Sequence, residues 1–121
     1  MPLILIVEDV ESDAKLLQLV VESIGPKYKS IVAKNGLEAV EKLKKEKVDL
    51  VLLDVNLPGY ITGKNLLFRP EVRDLPVILV SGIEEIDLKV LKIKFPSVKE
   101  YFCKPIDQER LVEEICKWTC K

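Results

Sequence analysis

The chain has 121 residues, 48% of them apolar and 32% charged, and its 19 basic and 20 acidic side chains leave a net charge of −1. That length suits a single compact domain over residues 1–121, able to bury about two-thirds of the surface its unfolded chain exposes. The even charge balance argues against nucleic acid as a direct ligand, and no apolar stretch nears the ~20 residues that cross a bilayer.

Strand-like and helix-like patterns alternate from end to end. A first strand is expected over Pro2 to Val7, ending in Glu8-Asp9. A helix follows, with Leu16, Leu17, Val20, Val21 and Ile24 at helical spacing, Ser12 as its N-cap, and Gly25-Pro26 as its stop. A second strand covers Tyr28 to Ala33. Asn35-Gly36 then turns the chain into a second helix with Leu37, Val40 and Leu43 on one face. The basic cluster from Lys42 to Lys47 reads as the solvated side of that helix. The third strand, Asp49 to Leu53, ends in Asp54. A loop from Asn56 to Gly63, containing Pro58 and Gly59, leads to a short third helix curtailed near Pro70. The fourth strand, Val77 to Val80, ends in Ser81, and a fourth helix covers Glu84 to Ile93. The fifth strand, Val98 to Cys103, ends in Lys104-Pro105. The last helix starts near Asp107 and carries Leu111, Ile115 and Trp118.

The third and fourth strands are continuous apolar runs, as parallel strands covered on both faces are. Five strands alternating with five helices imply an α/β fold, a doubly wound five-stranded parallel sheet, for which the flavodoxin-like 2-1-3-4-5 is one of the common orders. In that order the winding reverses between the first and third strands, and ligands gather at the carboxyl ends of the strands there. Those two strands end in Glu8-Asp9 and Asp54.

The chain has no histidine, which excludes Ser-His and Cys-His catalysis and a phosphohistidine carrier. Cys103, Cys116 and Cys120 are odd in number and form no disulfide framework; Cys116 and Cys120 are read as small buried hydrophobes. The N-terminus lacks a basic segment and a cleavage site, so a cytoplasmic protein is expected.

The acidic pair Glu8-Asp9, Asp54 in Leu53-Asp54-Val55-Asn56-Leu57-Pro58-Gly59, the hydroxyl of Ser81, Tyr101 and Lys104-Pro105 together resemble the CheY-like receiver domain of two-component response regulators. The resemblance runs from Leu3 to about Trp118 and implies the 2-1-3-4-5 strand order. It departs from the family at two points. Gly63 stands nine residues after Asp54 rather than eight, lengthening the loop at Tyr60-Ile61-Thr62, and the acidic pair is Glu-Asp rather than Asp-Asp.

Three crowded carboxylates repel one another, and a hard divalent cation with oxygen ligands relieves the repulsion. Three carboxylates, Mg²⁺ and Lys104 sum to a neutral site. The resemblance implies that Asp9, Asp54 and the Asn56 carbonyl ligate Mg²⁺, with Glu8 acting through a water. It further implies that Asp54 is the phosphoacceptor, that Lys104 and Ser81 contact the transferred group, and that Ser81 and Tyr101 form the switch. The donor is then a sensor histidine kinase or phosphotransfer protein. The output is a downstream protein target or an output domain missing from this chain, which ends right after the last helix. Such a protein catalyses only its own aspartyl phosphorylation and dephosphorylation and is not otherwise an enzyme. Asn56 and Ile83 border the path of a hydrolytic water, and Ile83 excludes it, so a long-lived phosphoryl state is expected. Two rivals are a phosphorylation-independent interaction module and an Asp-nucleophile phosphohydrolase; Asn56 stands where the latter commonly carries its acid.

Overall fold

A computed structural model describes residues 2–57, 59 and 61–120. Pro58 and Tyr60, both within the expected loop, lie outside the described residues. The strands are β1 (Leu3–Val7), β2 (Lys29–Ala33), β3 (Leu50–Leu53), β4 (Val77–Ser81) and β5 (Val98–Cys103), and the helices are α1 (Glu11–Ile24), α2 (Gly36–Lys45), α3 (Gly63–Leu67), α4 (Pro70–Arg73), α5 (Glu85–Lys94) and α6 (Gln108–Thr119). The sheet is parallel throughout, in the order β2-β1-β3-β4-β5.

Side chains alternate across the sheet and divide the core in two. Ile4, Ile6, Leu50, Leu52, Ile78 and Val80 face Leu17, Val20 and Val21 of α1 and Leu111 and Ile115 of α6. Leu5, Val7, Val51, Leu53, Val77 and Leu79 face the α2–α5 side, with Val40, Leu66, Val72 and Leu88. Every side chain of β3 and β4 is buried. Burying each of these Leu or Ile side chains contributes about 1.5–3 kcal/mol, and covering both faces of the sheet is what holds the strand ends in register.

Three expectations about the helices are corrected. The third helix is two helices, so six helices flank the sheet among the described residues rather than five. Pro70 lacks an N–H and cannot continue α3; it serves instead at the first position of α4, after Arg69 turns extended (φ −73°, ψ 139°). Ser12 is not the N-cap of α1, which is Val10 with no side-chain cap. The Val10 N–H is taken up by the Glu8 carboxylate (3.2 Å), so an acid at the strand end sets the entry into the helix. Leu37, expected on the inner face of α2, is 62% exposed, and Ala39 packs inward with Val40 in its place.

The second and last helices, α2 and α6, begin where the sequence places them. Asn35 caps α2 by accepting from the Glu38 N–H (2.9 Å), and Asp107 caps α6 by accepting from Arg110 (3.2 Å). Thr62 and Asn65 close a capping box on α3. A Cβ at Gly63 would strike the Val55 backbone and lie 2.8 Å from the Asp54 carbonyl oxygen. That close approach requires glycine and pins α3 beside the end of β3. No helix among the described residues is long and apolar enough to cross a membrane. Of the two cysteines read as buried, Cys116 is half-buried and Cys120 is exposed, because Cys120 is the C-cap of the last helix.

Candidate functional site

β1 and β3 are paired up to Val7 and Leu53, so the residues that follow leave the sheet side by side. The Asp54 N–H still donates to the Val7 carbonyl (2.9 Å), and the Glu8 N–H to Ala33 (3.0 Å). Backbone pairing therefore delivers the two acids to one point. Glu8 and Asp54 are buried, Asp9 is exposed, and one carboxylate oxygen from each lies within 4.8 Å of the other two.

Lys104 arrives from β5, its backbone N–H bonded to the Ser81 carbonyl (3.0 Å). Its ammonium donates to Glu8 (2.7 Å), Asp13 (2.9 Å) and Asp54 Oδ2 (3.2 Å), which commits all three of its N–H groups. Ser81 is fully buried in β4 and donates to Asp54 Oδ1 (2.9 Å). The Asn56 N–H donates to the same oxygen (2.9 Å), so Asp54 Oδ1 accepts two hydrogen bonds while Oδ2 accepts from Lys104. The Asn56 side chain is exposed.

Tyr101 does not touch the acids. It pairs with Leu79 while Cys103 pairs with Ser81, so Ser81 and Tyr101 project to the same face of the sheet two residues apart in register. Tyr101 is half-buried against the α2–α5 side, with the Lys92 ammonium 5.9 Å from its ring centre. Ile83 packs partly buried on the same side.

Burial pushes the Glu8 carboxyl up to about 7; the Lys104 hydrogen bond opposes this and the Asp54 charge adds to it. For Lys104, burial acts downward, but the hydrogen bonds to Glu8 and Asp13 and the charge of Asp54 outweigh it and hold the ammonium well above its ordinary range. Lys104 is thus the resident cation of a crowded acid pocket.

Asp13 is the site residue the sequence reading missed. It stands in the first turn of α1, five residues beyond Glu8, and only the angle at which α1 leaves the sheet brings it to Lys104. With Asp13 counted, the site bears four carboxylates, and the neutral sum expected with one divalent cation and Lys104 becomes −1.

The donor set fits a hard divalent cation. Oxygen is its only ligand atom, two of the three carboxylates are buried, and one oxygen from each lies within 4.8 Å of the others, close enough to share one cation.

Comparison with known proteins gives the family and the fold. The response regulator receiver domain pattern matches residues 4–116. A polar-differentiation response regulator DivK from Brucella anthropi is 35% identical over 120 residues, covering 93% of this chain and 91% of the relative. Among solved structures, a putative response regulator from Chloroflexus aurantiacus superposes with a TM-score of 0.86 at 28% identity, covering 100% of both chains. A CheY-like receiver domain protein from Methanospirillum hungatei superposes with a TM-score of 0.81 at 26% identity, covering 97% of this chain and 92% of the other.

Proposed function

The chain belongs to the response regulator receiver family of two-component signalling, and on that premise we propose that Asp54 accepts a phosphoryl group and that this changes a protein-binding face. The observation that carries the reading is the convergence of Glu8, Asp9 and Asp54 with Lys104 and Ser81 at the ends of four strands.

Glu8 would act through a water, and Asp9 and Asp54, with the Asn56 carbonyl that the family resemblance adds, would directly hold the Mg²⁺. When bound, it supplies positive charge to the oxygens of the transferring group. The remaining chemistry belongs to the chain. A carboxylate oxygen of Asp54 forms the new bond to phosphorus as the donor's P–N bond breaks, and the electron pair leaves with the donor imidazole, which takes a proton. Ser81 and the Asn56 N–H keep the carboxylate oriented for that attack. Lys104 stabilises the charge on the transferred oxygens. The donor is a sensor histidine kinase or a phosphotransfer protein.

Transfer adds negative charge and acceptor oxygens beside Ser81. The hydroxyl then moves its hydrogen bond from Asp54 Oδ1 to a phosphoryl oxygen. That shift opens space on the face it shares with Tyr101, which turns inward and alters the surface of α5, β5 and α6. A downstream protein, or an output domain joined to this one, reads the change. No free metabolite is turned over.

The test is mass spectrometry after incubation with acetyl phosphate, with and without Mg²⁺. Wild type should gain one phosphoryl group only with the metal, and Asp54→Asn should gain none. If wild type stays unlabelled, the chain is better described as a phosphorylation-independent interaction module.

A further inference from the structure

Asp13, the half-buried acid bonded to Lys104, has no part in the proposed transfer. Asp13 is 39% exposed at its side chain, whereas Glu8, which shares the same ammonium, is fully buried. Their bonds to Lys104 therefore differ in what breaking them costs. Releasing Glu8 would strand a buried carboxylate, while releasing Asp13 returns a carboxylate to water. Lys104 has no fourth N–H, so a phosphoryl oxygen can be bonded only after one present partner gives way.

Asp13 also opposes the incoming group directly. Asp13 Oδ2 and Asp54 Oδ2 both lie within hydrogen-bond reach of one Nζ atom, at 2.9 and 3.2 Å, which places them no more than about 6 Å apart. A phosphoryl group on Asp54 brings further negative charge against that carboxylate.

We propose that Asp13 restrains phosphorylation of this receiver, by occupying the Lys104 donor that the phosphoryl group needs and by holding an anion within about 6 Å of Asp54 Oδ2. The inference rests on Asp54 being the phosphoacceptor. Asp13 is a positioning residue: it acts through Lys104 and through its charge, and it forms no bond to the transferred group.

A bland role competes with this one. Asp13 lies in the first turn of α1, where a carboxylate complements the helix dipole. That role alone predicts a lower melting temperature on neutralisation and an unchanged labelling rate.

The experiment is the initial rate of labelling by acetyl phosphate at saturating Mg²⁺, for wild type, Asp13→Asn, Asp13→Ala and Glu11→Gln. The last removes the same charge from the same helical turn, and Glu11 forms no ion pair with Lys104. Both Asp13 variants should label about three- to tenfold faster than wild type at low ionic strength, as loss of one charge at about 6 Å through partly solvated surroundings implies. The advantage should shrink toward unity as salt screens the site. Glu11→Gln should stay within about twofold of wild type, because it lacks the contact with Lys104. Equal or slower labelling of both Asp13 variants, or equal acceleration by Glu11→Gln, would overturn the proposal while leaving Asp54 as acceptor. Absence of labelling in wild type would overturn that assignment, and this inference with it.

Discussion

Replacing Lys104 with alanine in metal-free protein leaves Glu8, Asp13 and Asp54 without their shared cation. Removing one partner of a fully buried ion pair costs about 3–5 kcal/mol, because the other charge is left uncompensated. Here the Lys104 side chain is 24% exposed and Asp13 39%, so solvent takes up part of the loss. A destabilisation of about 2–4 kcal/mol is expected at about pH 8.5. Acid offers an escape. Glu8 already titrates at about 7, and losing the lysine raises it further, so near pH 5.5 a proton replaces the missing charge in the variant. The cost should then fall to about 1 kcal/mol. Mg²⁺ should also recover most of the loss at the higher pH, since the carboxylates proposed to hold it include Glu8 and Asp54. Urea unfolding in chelator, at the two pH values and again with Mg²⁺, measures all three quantities. A cost that is independent of pH, or below about 1 kcal/mol at the higher pH, would refute the picture of Lys104 as counter-ion to a buried acid.

Three further outcomes are expected. In metal-free wild type, Glu8 titrates in the folded state at about 7, above its ordinary 4.5, so its stabilising contribution is complete below about 4.5 and is lost as pH rises through 7. Urea unfolding should lose up to about 3 kcal/mol between about pH 5 and pH 8, and much less in saturating Mg²⁺; stability that rises across this window would contradict the burial of Glu8. Ile83→Glu should shorten the lifetime of the aspartyl phosphate, measured as autodephosphorylation after removal of donor, and equal or slower decay would defeat the idea that Ile83 excludes water. Gly63→Ala should cost about 1–3 kcal/mol in thermal unfolding, because its Cβ meets the Val55 backbone rather than a movable side chain.

Much of the site was legible because each strand is an apolar run that stops abruptly at a polar residue. Val7, Leu53 and Cys103 end their strands where the chemistry begins, and parallel pairing carries that one-dimensional signal into a shared edge. What escaped depends on angles. Asp13 stands in the first turn of a helix, as countless carboxylates do, and its spacing says nothing of a lysine 91 residues away. Ser12 had the chemistry of an N-cap, yet α1 begins one residue before it with Val10 in the cap position, where the Glu8 carboxylate accepts from the Val10 N–H, a contact between a strand end and a loop that propensity does not register. The division of the third helix was half visible: Pro70 marks a stop, and the same residue marks a start. Leu37 fits a helical period on paper, but α2 rolls so that Ala39 and Val40 face inward.

The identity of the acceptor can be read chemically. Borohydride reduction converts an aspartyl phosphate to homoserine, which peptide mapping then locates. After labelling with acetyl phosphate and Mg²⁺, homoserine should replace aspartate at position 54 and nowhere else. Homoserine at Asp9 or Asp13, or none at all in protein shown to carry the label, would contradict the placement of the reaction at the end of β3.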